Sequence, residues 1–273
     1  MTTRFVHALF AAGVENPALI TRWREQPALL RDYGIEPGTI DLEALWKFAG
    51  LTAKIRHRGL REQLPATFRL LSITGLEVDV FAAHASARAE RDAPLATTNE
   101  VRARDLIAFL DGWLDRSDPM HALLWDLIRH ERALVELGRR APAVGSSPHL
   151  RSPVRGTALA ATAAAIPRVQ GDIVLHQMTS DPQTLTAALQ DRFPELGALP
   201  RGPGFHCYWR AEDTPQIAIL QLDQLGYRML ALVDGTRSAA GVYVGLGGTG
   251  RPNPTFLRKL DELETLGVIS LVT

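Results

Sequence analysis

"FHCYWRAEDTPQIAILQLDQLGYRMLALVDGTRS", Phe205 to Ser238, decides the fold. "FHCYWR" reads as a strand, "AEDTP" as a turn and "QIAILQLD" as a second strand, in which Ala218, Leu220 and Leu222 alternate with Ile217, Ile219 and Gln221. Gln224 to Val233 then reads as a helix, stopped at the turn-forming pair Asp234-Gly235. Both faces of "QIAILQLD" are largely apolar. Such a strand is either buried on both sides or keeps one side for a partner.

Toward the C-terminus, Thr236 or Ser238 opens a short helix toward Val244, "GLGGTGRPN" is a loop tip, and Asn253-Pro254 caps "TFLRKLDELETL". Phe256, Leu257, Leu260, Leu263 and Leu266 form the apolar stripe of that helix, Gly267 ends it, and "VISLV" closes as a strand. Upstream, "DIVLHQM", Asp172 to Met178, is a strand and Asp181-Pro182 starts a helix. Residues 157–273 therefore predict a winged-helix-like module, a small antiparallel sheet plus three helices.

Before it, "RRAPAVGSSPHLRSPVRG" holds three prolines and no apolar period, which predicts a linker at 141–156. Residues 1–140 read as helices: Asn16-Pro17 and Asp118-Pro119 are caps followed by proline, Asp41 and Thr98 or Asn99 are further caps, and Gly138 is a stop. Leu19, Ile20, Trp23, Leu29 and Leu30 continue one stripe, and Leu60 to Leu71 supplies another despite Pro65. The expected class is α+β, an N-terminal α-helical bundle followed by the strand-containing module.

The chain has 273 residues and is 46% hydrophobic, enough for two domains with cores of their own. Thirty Lys plus Arg balance thirty Asp plus Glu, so no global field favours nucleic acid or an acidic membrane. Nowhere do eighteen apolar residues run without a charge, which predicts no membrane span, and "MTTRFVHALFAAGVENPALI" reads as an amphipathic helix rather than a signal peptide. One cysteine, Cys207, leaves no internal disulfide and fits a reducing, cytoplasmic setting.

The chemistry-bearing residues do not assemble into a catalytic motif. The eight histidines include no His-x-His and no His-Glu-x-x-His, so no metal ligand is assigned. His206 and Cys207 are neighbours on a strand and face opposite ways, which defeats a nucleophile and base pair; a buried structural cysteine is the better reading. "GLGGTG", Gly245 to Gly250, lacks the Gly-Lys-Ser/Thr of a phosphate loop and reads as a wing. Asp126, Arg129, His130, Glu131 and Arg132 form a charged cluster, ordinarily a solvated face and alternatively a surface for docking an enzyme.

The order of a short strand pair, "LDQLGYRMLALVDGTRS", a glycine-broken connection and "FLRKLDELETLGVI" resembles the PqqD-like precursor-recognition fold of ribosomal peptide natural-product pathways. With "LIAFLDGWLDRSDPMHALLWDLIRHERALVEL" and "AIPRVQGDIVLHQMTSDPQTLTAAL", about residues 60 to 273 resemble the partner subunits of multinuclear non-haem iron oxidative enzymes, those of the 3-thiaglutamate and methanobactin type among them. The resemblance implies a non-catalytic subunit without a cofactor of its own, paired as a heterodimer with an iron-holding enzyme. It also implies that the leader of a precursor peptide adds as a strand beside the module's sheet.

On that reading "QIAILQLD" supplies the edge and "FLRKLDELETL" the wall, with Ile217, Ile219, Leu220, Leu222, Phe256, Leu257, Leu260 and Glu264 as leader contacts. The same alternation also suits plain core. The rival class is a winged-helix DNA-binding regulator, disfavoured because Asp261, Glu262 and Glu264 outweigh Arg258 and Lys259 on the candidate recognition helix.

Overall fold

Side-chain caps set most of the helix starts in the computed structural model, which describes residues 3–90, 98–139, 163–212 and 214–272. The described chain is a mixed α+β protein with small antiparallel sheets. It divides into two compact units, Met1–Ile128 and Arg129–Thr273.

In the first unit, α1 (Thr3–Glu15) is followed by α2 (Pro17–Glu25), whose first turn is satisfied by Asn16 Oδ1 accepting the Ala18 N–H at 3.2 Å. The stripe that the sequence carries on through Leu29 and Leu30 is broken at Gln26. Pro27 has no N–H to continue the α-helical ladder, and Pro27–Tyr33 winds as a 3-10 turn instead. α3 (Leu42–Arg56) is capped by Asp41 Oδ1 on the Ala44 N–H at 2.9 Å. Leu9, Ile20, Trp23, Leu30, Ile35, Leu45 and Ala49 form the core beneath these elements.

The 60–71 stripe is likewise two helices, α4 (Arg58–Gln63) and α5 (Pro65–Thr74), because Pro65 starts a helix more readily than it continues one. α6 (Leu76–Glu90) and α7 (Asn99–Trp113) follow, the latter capped by Thr98. α8 (Pro119–Arg139) starts at Asp118, whose Oδ1 accepts the Met120 and His121 N–H groups at 2.8 and 3.0 Å. The division between units falls inside α8, upstream of the proline-rich stretch; the 141–156 linker lies outside the described residues.

The second unit is built on strands β1 (Ile166–Val169), β2 (Asp172–Met178), β3 (Gly204–Arg210), β4 (Ala218–Leu222) and β5 (Ile269–Val272). β2, β3 and β4 form an antiparallel sheet in that order, with Leu175 opposite Cys207 and Cys207 opposite Leu220. β1 and β5 pair antiparallel as a second sheet, Ile166 opposite Val272. Gly171 joins β1 to β2 at φ 95°, and a Cβ there would stand 2.2 Å from the Arg210 carbonyl oxygen, so both the backbone angle and the space require glycine.

The strands are joined, among the described residues, by α9 (Pro182–Ala188), α10 (Gln224–Leu232), α11 (Ala239–Gly245) and α12 (Pro254–Thr265). Asp181, Asp223, Ser238 and Asn253 cap them by accepting the N–H of Thr184, Gly226, Gly241 and Phe256 at 2.7, 2.7, 3.2 and 2.9 Å. At the Asp234-Gly235 stop, Asp234 Oδ1 accepts the N–H groups of Thr236 and Arg237, and Gly235 takes φ 75°.

Directly paired residues share a face of the β2–β3–β4 sheet. Leu175, Cys207, Trp209, Leu220 and Leu222 lie against Met229, Leu230, Val242, Phe256, Leu260 and Leu263 of α10, α11 and α12. On the opposite face, Val174, Met178, Tyr208 and Ile219, joined by Ile217 just before β4, pack against Ala133, Leu134 and Leu137 from the C-terminal part of α8. The sheet is thus covered on both faces.

Candidate functional site

β4 is an end strand: it pairs with β3, and no other described strand pairs with its outer side. β2 is the other end. One of its backbone carbonyls, that of Gln177, is already engaged by Arg129 Nη1 at 2.6 Å. An unpaired row of N–H and C=O groups is a template for another strand, and β4 is the less occupied of the two.

Beside β4, the start of α10 is tied to α12. Lys259 Nζ stands 2.9 Å from Asp223 Oδ2 and is also bonded to Glu262 on its own helix. The hydrogen bonds and charges of these two carboxylates, Glu262 first, raise the Lys259 pKa. Partial burial works to raise the Asp223 pKa, but the Gly226 N–H and Lys259 outweigh it and the net shift is downward. This lysine, absent from the sequence-derived set, fastens the helix to the end of the strand. Its signal was the Lys259/Glu262 spacing on one helix face; the Asp223 contact has no local signature.

The eight positions expected from the sequence to contact a leader peptide separate on the structure. Leu220 and Leu222 are half-buried beneath α10 and α12, and Leu257 is half-buried on α12. Phe256 and Leu260 are fully buried in the core, so their side chains support the region from within. Ile217 and Ile219 lie on the other face, against the end of α8. Glu264 accepts the Leu271 N–H of β5 at 3.2 Å, which ties α12 to the second sheet. What all the strand positions share is the backbone edge. Gln221, exposed on the same face as Ile219, completes it.

The charged cluster is placed differently from a solvated face. Asp126, His130 and Glu131 are buried, Arg129 is half-buried, and Arg132 is exposed, 3.7 Å from Glu136. His130 Nδ1 is hydrogen-bonded to the Tyr208 hydroxyl at 2.9 Å, and Arg129 Nη2 donates to His176 Nδ1 at 3.0 Å. An arginine can only donate, so His176 is held with its proton on Nε2, and that nitrogen is buried without a hydrogen-bond partner among the described residues. Burial, then Arg129 and Arg132, push the His176 pKa down to about 4; burial, then His206, lower that of His130. Arg210 closes the row with Asp172 at 2.9 Å. Arg129 and His130 tie the C-terminal part of α8 to the sheet through His176, Gln177 and Tyr208.

Chemically the second unit offers no activated nucleophile at Cys207. Burial in the helix-covered face pushes its thiol up to about 12, and His206, its neighbour in sequence, lies on the opposite face. Among the described residues no group of three or more His, Cys, Asp or Glu is placed to hold a metal ion, and no helix is long and apolar enough to cross a membrane. The chain matches no known family model and no curated protein.

Proposed function

We propose that this chain is the non-catalytic partner subunit of a multinuclear iron oxidative enzyme. It binds the leader of a ribosomally made precursor peptide along β4 and presents the peptide's cysteine-containing end to that enzyme. The two chains work in the cytoplasm as a heterodimer, the iron is held by the enzyme, and the modification is of the 3-thiaglutamate type. The observation that carries the reading is β4: an unpaired strand edge fastened beside α12 by the Asp223–Lys259 contact. A peptide added there satisfies its own backbone groups and those of β4 together, while neighbouring side chains select the sequence. The strand pair β3–β4 followed by α10, α11 and α12 also supports it, being the order on which the resemblance to precursor-recognition modules rests.

The test is co-expression of the chain with the iron enzyme and the precursor encoded beside it, followed by size-exclusion chromatography, iron analysis and hydrogen exchange. The expected result is one peak holding both proteins, with iron in the enzyme. The amides of Ala218–Leu222 should exchange more slowly once the precursor is present, and a precursor lacking its leader should give no such protection. Separate peaks overturn the partner assignment, and unprotected β4 amides in a peptide-bound complex overturn strand addition.

A further inference from the structure

α3 presents two apolar faces where its packing uses one. Leu45 and Ala49 are buried in the first unit's core, with Leu42 and Trp46 packed beside them. On the far side, Ala44, Phe48, Leu51 and Ile55 are exposed, and the three large ones keep 54%, 56% and 69% of their surface open. These four residues follow one another at intervals of four, three and four. That alternation is the seam of a two-helix coiled coil, in which such residues enter the holes of a facing helix. Lys47 and Lys54 each precede a seam residue, at the flank from which a coiled coil makes its interhelical ion pairs, and both are exposed.

We infer that this outer face of α3 docks an amphipathic helix of a different protein, one whose seam is flanked by carboxylates. The charges select the occupant. A second copy of α3 laid antiparallel would set Lys47 and Lys54 against the same lysines. Laid parallel, it would set Lys47 against position 52, a threonine, and Lys54 against position 59, beyond the end of α3, so neither arrangement offers a carboxylate. The contact of Lys47 with Glu43, 3.7 Å apart and exposed, is an ion pair of the weak kind that a partner's carboxylate can displace. The longest stretch outside the described residues, 140–162, contains no Asp or Glu and so does not match the flank either. The inference is independent of the peptide reading of β4, because α3 belongs to the first unit.

The probe is a synthetic peptide of four heptads with leucine along its seam and glutamate on both flanks, fluorescently labelled and titrated with the full chain. The companion peptide carries lysine on the flanks. The wild-type chain should bind the glutamate peptide and not the lysine one. K47E/K54E should reverse that preference, with a loss of at least about tenfold for the glutamate peptide. Leu51→Ser, a change at an exposed position that leaves the core alone, should abolish binding of either. Failure of the wild type to bind, or binding indifferent to Leu51→Ser, overturns the inference. So does a wild-type dimer in sedimentation that Leu51→Ser dissociates, or adsorption to phosphatidylserine vesicles in place of the peptide.

Discussion

The two faces of the β2–β3–β4 sheet are stabilised by different physics. Toward α10, α11 and α12 the contact is hydrocarbon: Cys207, Leu220 and Leu222 meet Met229, Phe256, Leu260 and Leu263. Toward the end of α8 the apolar contacts of Ala133, Leu137, Met178 and Tyr208 are interleaved with His130, His176, Arg129 and the pair Arg210–Asp172. The first face is expected to be insensitive to pH and to fail when volume is removed. The second is expected to weaken when its imidazoles take up protons, because burial disfavours their charged form.

Removing volume from the hydrocarbon face should have the largest effect. Leu260→Ala deletes a fully buried side chain and is expected to cost about 3 kcal/mol in denaturant unfolding, since the surrounding helices collapse only partly onto the cavity. A cost below that of Tyr208→Phe would mean that the helix-covered face is not the stronger of the two.

Acid should weaken the polar face next. His176 is held near 4 against an ordinary value of 6.5, so below about pH 6.5 the unfolded chain takes up a proton that the folded chain refuses. Its contribution to stability is present above pH 6.5 and is lost as the pH falls toward 4. His130, also lowered, acts in the same sense. Thermal unfolding from pH 7 to 4 should therefore show a falling midpoint, and His176→Gln should flatten that fall. An unchanged pH slope in the variant would remove His176 from the explanation.

The smallest of the three effects is expected from Tyr208→Phe. It keeps the ring and deletes the hydroxyl bonded to His130, leaving a buried imidazole nitrogen without that partner at a cost of about 1 kcal/mol. If the loss exceeded that of Leu260→Ala, the polar contacts would outrank the hydrocarbon ones and the comparison would invert.

Element positions were legible where a local cap or alternation marks them. Asn16, Asp41, Asp181, Ser238 and Asn253 all cap the helices that their positions suggested, and the strand read at Asp172 to Met178 is β2 residue for residue. β1 was not legible: it contains Pro167, which demotes a strand reading, and its partner β5 lies about a hundred residues away in sequence. Nor was the surrounding of the 126–132 segment. Adjacent charged residues signal solvent, and only the arrival of β2 and β3 on that side of α8 buries His130 and engages Arg129. The alternation in "QIAILQLD" divided Leu220 and Leu222 from Ile217 and Ile219 and left open whether both faces were buried or one was kept for a partner; the structure shows a covering layer on each. What distinguishes the edge of β4 is its backbone, which a pattern of side chains does not report.

Cys207 is the chain's single thiol, seated on the hydrocarbon face and pushed to about 12. A thiol reagent added at neutral pH meets it only when that face opens, so the rate of labelling follows that opening. The protein thus carries a built-in clock for the separation of α10, α11 and α12 from the sheet, readable at a single mass increment without any substitution.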